Sequence, residues 1–167
     1  LITVSVVVEL QRLRSDHADA VLEFELINRA YFAAWVSDRG DAFYENFGDE
    51  HGALLAEQAA GGCVFHVLVD DDRTVLGRFN LYDLEHETAV VGYRVAERVT
   101  GRGVATAALR ELCELATGPY ALRMLMAMAS NENVSSQRVL EKAGFVATGP
   151  TDVAGRPGTR YERSLAD

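Results

Sequence analysis

The chain has 167 residues and 18.3 kDa, with 49% hydrophobic and 25% charged residues. That is ordinary globular composition: it predicts one packed domain over residues 1–167 and excludes a disordered chain. The net charge of −9 argues against nucleic acid as a partner. The longest apolar runs, Val4–Val8, Val64–Val69 and Ala121–Ala129, fall far short of the ~20 residues that span a bilayer, so no membrane partner is expected.

The charge is unevenly spread. Residues 1–90 carry 6 basic and 17 acidic side chains, and residues 91–167 carry 10 and 8. A phosphorylated ligand therefore finds a surplus of cations only in the second half. The two cysteines, Cys63 and Cys113, have no CxxC spacing and no His cluster beside them. No disulfide framework and no metal are expected, and a reducing cytoplasm is the expected compartment. No basic stretch leading into an apolar segment and a small-residue cleavage site is visible, so no secretory signal is expected.

In chain order, Val-rich Thr3–Leu10 predicts a strand. Ser15 or Asp16 caps a helix-period pattern through Ala18, Val21, Leu22, Phe24, Ile27, Tyr31, Phe32 and Trp35, broken into two helices. The Asp/Glu-rich stretch from Gly40 to Gly52 predicts a loop, followed by a short helix Ala53–Ala60 that Gly61-Gly62 stops. Val64–Asp70 and Thr74–Leu84 flank a turn at Asp71-Asp72 and make a hairpin, and Glu87–Ala96 is the next strand. Val104–Ala116 is amphipathic at helical spacing, and Gly118-Pro119 ends it. Leu122–Ala129 reads as a strand buried on both faces. Asn133–Ala143 is a helix with Gly144 and Phe145 at its stop, and Val146–Val153 and Thr159–Leu165 close the chain as a hairpin. The pattern is a single α/β domain with a mixed sheet.

The chemistry concentrates where the strand ending in Val95-Ala96 runs through Arg98, Gly101, Arg102 and Gly103 into a helix. Glycines let a ligand approach the backbone, and the free N–H groups and dipole of a first helical turn favour an anion. Arg98 and Arg102 add guanidinium groups suited to phosphate oxygens. A Walker A loop is excluded because no Lys follows Gly103, and a dinucleotide fingerprint fits poorly because Thr106 stands where its third Gly belongs. A lone Gly-x-Gly would be only a strand-to-helix turn; the strand before, the helix after and the two Arg favour an anion site.

Arg98-x-x-Gly101-x-Gly103 resembles the Arg/Gln-x-x-Gly-x-Gly/Ala loop of the GNAT superfamily of acyl-CoA-dependent N-acyltransferases. Asn133-x-x-Ser136-x-x-Val139-Leu140-Glu141-Lys142-Ala143-Gly144-Phe145 resembles the second signature of its RimJ/RimL-type branch, which acetylates ribosomal-protein N-termini. Gly92-Tyr93, Gly77-Arg78-Phe79-Asn80-Leu81 and Asn28-Arg29-x-Tyr31-Phe32 look like the same branch. The resemblance implies a mixed, mostly antiparallel sheet whose fourth and fifth strands run parallel and splay apart. The pantetheine arm of acetyl-CoA is then expected on the backbone of Tyr93 and Val95. Its pyrophosphate is expected on the N–H groups of Gly101, Arg102, Gly103, Val104, Ala105 and Thr106, with the Thr106 hydroxyl nearby.

Asn133 is an N-cap by position and, by resemblance, a pantetheine contact. Ser136 is either a solvent-facing hydroxyl in the first helical turn or, by resemblance, the donor that protonates the departing CoA thiolate. Arg138 and Lys142, the only Lys, lie one turn apart and serve either the 3′-phosphate or a solvated face. Val90 stands where many relatives carry a catalytic Glu. Period two places Glu85 and Glu87 on one face with Ala89, and Glu87 is the first candidate for the general base, against a solvated edge carboxylate or a water chain. The first helices are expected to line the acceptor pocket, with Asn28 and Tyr31 as polar contacts beside Arg29, Phe32 and Trp35. His17, His51 and His66 are read as structural, and both cysteines as buried.

The resemblance thus implies transfer of an acetyl group from acetyl-CoA to a primary amine, either a protein or peptide N-terminal α-amine or a small molecule such as an amino sugar. A CoA-binding sensor of the same fold without turnover is the alternative. A dinucleotide-binding oxidoreductase half is opposed by the strand order. A homodimer is left open.

Overall fold

Valine-rich and aromatic stretches such as Val64–Val69 suit a pleated sheet. The computed structural model, which describes residues 7–165, forms seven strands. They are β1 (Val8–Arg12), β2 (Val64–Asp70), β3 (Val75–Glu85), β4 (Thr88–Val95), β5 (Met124–Ser130), β6 (Val146–Val153) and β7 (Arg156–Ser164). They lie in one sheet in the order β1-β2-β3-β4-β5-β7-β6. Every neighbouring pair is antiparallel except β4 and β5, which run parallel.

That parallel pair is short. It registers Thr88 with Met124, Ala89 with Leu125 and Val90 with Met126, and no further. Beyond this point β4 stays on β3 up to Val95 opposite Gly77, while β5 stays on β7 up to Ser130 opposite Gly158. The two halves of the sheet therefore diverge, and the β5-facing peptide groups of β4 from Val91 to Val95 lose their strand partner. This is the splay the resemblance implied.

The helices are α1 (Ala18–Ile27), α2 (Arg29–Ala33), α3 (Asp41–Glu45), α4 (Phe47–Ala59), α5 (Val104–Thr117) and α6 (Val134–Lys142). Arg78 and Arg94, opposite each other on β3 and β4, point toward α1. Their neighbours Phe79 and Tyr93 point the other way, since strand side chains alternate, and Tyr93 there reaches α6. Phe79, Leu81, Leu109, Leu112 and Leu125 are fully buried in the core.

Two expectations need correction. The strand expected at Thr3–Leu10 is β1 at Val8–Arg12, and residues 1–6 lie outside the described residues. The stretch expected to be a loop between Gly40 and Gly52 is α3 and the first turns of α4. Its acidic side chains mask an apolar seam at four-residue spacing. Phe43 meets Phe47 edge to face and Phe47 packs tilted on His51, with centroids 5.6 and 5.8 Å apart, and Asp49 and Glu50 complement the dipole at the start of α4.

The three expected structural histidines are committed to the scaffold. His17 Nδ1 accepts from the Arg14 N–H, and His51 Nε2 donates to the Arg14 carbonyl. His66 Nδ1 donates to the Phe79 carbonyl at 3.0 Å and its Nε2 meets the Tyr120 hydroxyl at 2.7 Å. Cys63 and Cys113 are both buried and free.

Candidate functional site

The wedge between β4 and β5 opens into a cavity of about 500 Å³. One end is built by Thr100–Gly101, the first turn of α5 and the exposed face of α6; the other by Tyr31, Phe32, Trp35 and Val36 of the α2 region. The end of β4, Tyr93–Val95, forms the floor between them.

At the α5 end the backbone carries the chemistry. Gly101 and Gly103 have φ of +75° and +76°, a region that disfavours any side chain. A Cβ at either position meets nothing within 4 Å, so these residues border open space. Gly103 caps α5, and the first helical bond is Ala107 N–H to the Gly103 carbonyl at 3.0 Å. The N–H groups of Val104, Ala105 and Thr106 therefore have no helical acceptor, and no side chain caps them. Together with the positive end of the helix dipole they form a cradle for a phosphate or pyrophosphate.

The four cations singled out from the sequence divide at this cradle. Arg138 and Lys142 of α6 line the cavity, whereas Arg98 and Arg102 do not. Arg98 sits in the short 3-10 turn before the glycines, is 61% exposed, and leans back to Asp70 at 3.7 Å. The turn aims its side chain along the β2–β3 hairpin, away from the cavity.

Asn133 and Ser136 line the cavity as expected. Asn133 caps α6, its Oδ1 accepting from the Ser136 N–H at 3.2 Å, while its amide NH2 holds no hydrogen bond among the described residues. The α6 stop is the predicted one: Gly144 N–H bonds the Glu141 carbonyl and Phe145 N–H the Leu140 carbonyl, with Gly144 at φ +91°. Tyr93 contributes more than its backbone. Its ring stacks on Phe79 at 5.5 Å, and its hydroxyl lies 3.0 Å from Ser136 Oγ. Burial pushes the Tyr93 phenol up to about 12, so it remains a proton donor near neutral pH.

At the opposite end, Tyr31 lines the cavity and Asn28 does not. Asn28 is buried, donating to the Phe24 carbonyl and accepting from the Glu97 N–H. It ties the end of α1 to the turn after β4 and is a scaffold residue. Glu87 is likewise outside the cavity. His86 and Glu87 form the tight β3–β4 turn, with φ of +51° and +62°, so the alternation expected from Glu85 to Ala89 is broken there. Glu87 is exposed and pairs with Arg123 at 3.1 Å.

Sequence reasoning missed a buried ion cluster on this side. Glu25 of α1, wholly buried, accepts from Arg78 at 2.8 Å, Arg94 at 3.2 Å and Arg39 at 3.4 Å. Its one sequence signal is a charged residue on the apolar face of α1, with another inside the apolar run of β3. Among the described residues, no Asp, Glu or His lines the cavity, and no group of three or more His, Cys, Asp or Glu residues could hold a metal ion. No helix among them is long and apolar enough to cross a membrane.

Comparison with known proteins agrees with this architecture. A family model described as an acetyltransferase (GNAT) domain matches residues 8–146. A probable N-acetyltransferase, YjcK of Bacillus subtilis (strain 168), is 27% identical over 134 residues, covering 77% of this chain and 74% of its own. Mycobacterium smegmatis RimJ, solved in complex with CoA-disulfide, superposes with a TM-score of 0.85 at 25% identity, over 95% of this chain and 82% of its own. The ribosomal-protein-S5-alanine acetyltransferase of Vibrio fischeri superposes at 0.88 with 20% identity, over 96% and 94% of the two chains, and shows the shared fold.

Proposed function

Because the chain belongs to the acetyltransferase (GNAT) domain family, we propose that it transfers an acetyl group from acetyl-CoA to the α-amine of a peptide or small molecule. The observation that carries this reading is the unpaired edge of β4 beyond Val90, which leads directly into the uncapped N-terminus of α5. An extended amide-bearing arm ending in a pyrophosphate fits that path. Strand-edge peptide groups take the arm, and the Val104–Thr106 N–H groups take the phosphates. Arg138 and Lys142 stand beside them for a further phosphate.

Acetyl-CoA supplies the activated acetyl group when bound. The chain contributes proximity, orientation and a proton. The β5-facing N–H groups of β4 are placed to polarise a carbonyl lying in the splay. The Tyr93 hydroxyl can donate either to the Ser136 carbonyl at 3.3 Å or to Ser136 Oγ at 3.0 Å; in the second arrangement the Ser136 hydrogen is free to point into the cavity toward a departing thiolate. Tyr93 is thereby a positioning residue for Ser136.

Among the described residues no carboxylate or imidazole lines the cavity, which favours an acceptor that is already neutral. An α-amine, with an unperturbed pKa of about 7.7–8.0, is substantially neutral near pH 8, while a lysine-type amine at about 10.4 is not. A site without a lining base suits the former. The same lack favours a second reading, a CoA-binding sensor without turnover. The buried free thiols suit a reducing cytoplasm.

The test is CoA release and acceptor mass measured with acetyl-CoA and a panel of peptides, amino acids, polyamines and amino sugars. Acetylation of α-amines well above background is expected. CoA binding with no acetylated product from any amine would establish the sensor reading instead.

A further inference from the structure

Around Glu25 the charges do not balance. Both carboxylate oxygens are engaged, Oε1 by Arg78 and Arg39 and Oε2 by Arg94. One buried anion thus faces three guanidinium groups, an excess of two positive charges. The nearby Asp38 and Asp41 both bind Arg29 at 2.8 Å, so that neighbouring cluster keeps one net negative charge and offsets half of the excess, leaving one positive charge.

The excess faces the cavity through Arg94. Arg94 lines the cavity, and its guanidinium lies 4.7 Å from the centre of the Phe32 ring, which fixes its plane. Only Nη1 is committed, to Glu25; Nε and Nη2 hold no hydrogen bond among the described residues. The side chain is 24% exposed. Arg39, 34% exposed and held over Phe43, stands on the same carboxylate. A guanidinium oriented by a buried anion and an aromatic face, with donors left over, suits a carboxylate. The acidic surface of the first half is spread over distances that salt screens beyond about 8–10 Å, so the local excess decides.

We propose that Arg94, supported by Arg39, is a subsite for a carboxylate carried by the acceptor. This deepens the acetyl-transfer reading and rests on it. Arg94 follows Tyr93 on β4, so the subsite adjoins the reacting end of the cavity across the splay. The acceptor is then an amine with a carboxylate a few bonds away: a free acidic amino acid, or a peptide with Asp or Glu in its first positions. Polyamines and amino sugars, whose further groups are cationic, are repelled there.

The experiment compares acceptors that differ only in this charge. Ala-Glu-Ala-amide is set against Ala-Gln-Ala-amide, and glutamate α-amide against glutamine α-amide. Binding is measured by calorimetry to protein saturated with desulfo-CoA, and kcat/KM by CoA release. The charged member is expected to bind about tenfold or more tightly, the scale of a charge-assisted hydrogen bond. The peptide and amino-acid arms identify which source of the carboxylate is used. Arg94→Gln is expected to bring the ratio near one, and Arg39→Gln, at a more exposed site, to reduce it. Retention of the desulfo-CoA melting shift checks that each variant is folded.

Equal binding of charged and neutral members by the wild-type protein overturns the subsite, as does a preference that survives both substitutions. Selective binding without any acetyl transfer leaves the subsite standing and overturns the enzyme reading. Transfer without charge preference does the reverse.

Discussion

The two ends of the cavity are built by different means. The α5–α6 end is made of backbone: two left-handed glycines, an uncapped helix start and an Asn cap within one turn of Ser136. The α1–β4 end is made of side chains brought together from far apart, Glu25 meeting Arg78 and Arg94 across 53 and 69 residues of sequence. On the proposed reading the backbone cradle recognises what every acyl-CoA shares. A side-chain cluster can change with the acceptor while the cradle stays the same.

The largest expected effect breaks the second end. Glu25→Ala leaves buried guanidinium groups without their anion, and removing one partner of a buried pair costs about 3–5 kcal/mol. Denaturant unfolding should show a loss of that size. A loss under about 1 kcal/mol would mean that the arginines are stabilised by solvent and not by Glu25.

A second, somewhat smaller effect tests the scaffold that both ends share. Burial of His66 lowers its pKa from 6.5 to about 4. Between these values the unfolded chain binds a proton that the folded chain does not, so stability is full above pH 6.5 and falls as pH drops toward 4. The loss from this group is at most about 3 kcal/mol. His66→Gln should flatten the acid limb of a stability–pH curve, and an unchanged slope would assign that limb to other groups.

The smallest effects sharpen the first end. Asn133→Ala removes a cap worth about 1 kcal/mol, together with a ligand contact, so stability and acetyl-CoA affinity should fall together. Ser136→Ala should lower kcat with acetyl-CoA affinity nearly unchanged, by no more than the ~10²–10⁴-fold of general-acid help. Equal losses of affinity in both variants would reduce Ser136 to a binding residue.

The contrast also explains what the sequence made legible. Motifs confined to one turn or loop, such as Gly101-x-Gly103, Asn133-x-x-Ser136 and Gly144-Phe145, need only local conformation, and each stands where expected. The order of the strands along the chain is legible in the apolar patterning, the parallel and splayed fourth and fifth strands follow from the resemblance, and both are present. The residues that stand away from the cavity are those whose place depends on side-chain direction or distant partners. Arg98 sits in the expected turn but points to Asp70. Asn28 lies on the expected helical segment but is consumed by Phe24 and Glu97. Glu87 is displaced because a tight turn interrupts the strand alternation. α3 went unseen because it is only five residues long and the contact that holds it, Phe43 against Phe47 of α4, crosses the break between the two helices.

The most direct measurement is the shift in Tm produced by acetyl-CoA and by desulfo-CoA. A ligand that binds only the folded state stabilises by mass action, by about 2.7 kcal/mol at a hundredfold excess over Kd. Both ligands should raise Tm, since the pyrophosphate cradle, not the thioester, anchors them. Gly103→Val, which places a branched side chain at φ +76° in the open space beside the α5 N-terminus, should abolish the shift. No shift with either ligand at millimolar concentration, or an undiminished shift in a folded Gly103→Val protein, would contradict the assignment of this cavity to acetyl-CoA.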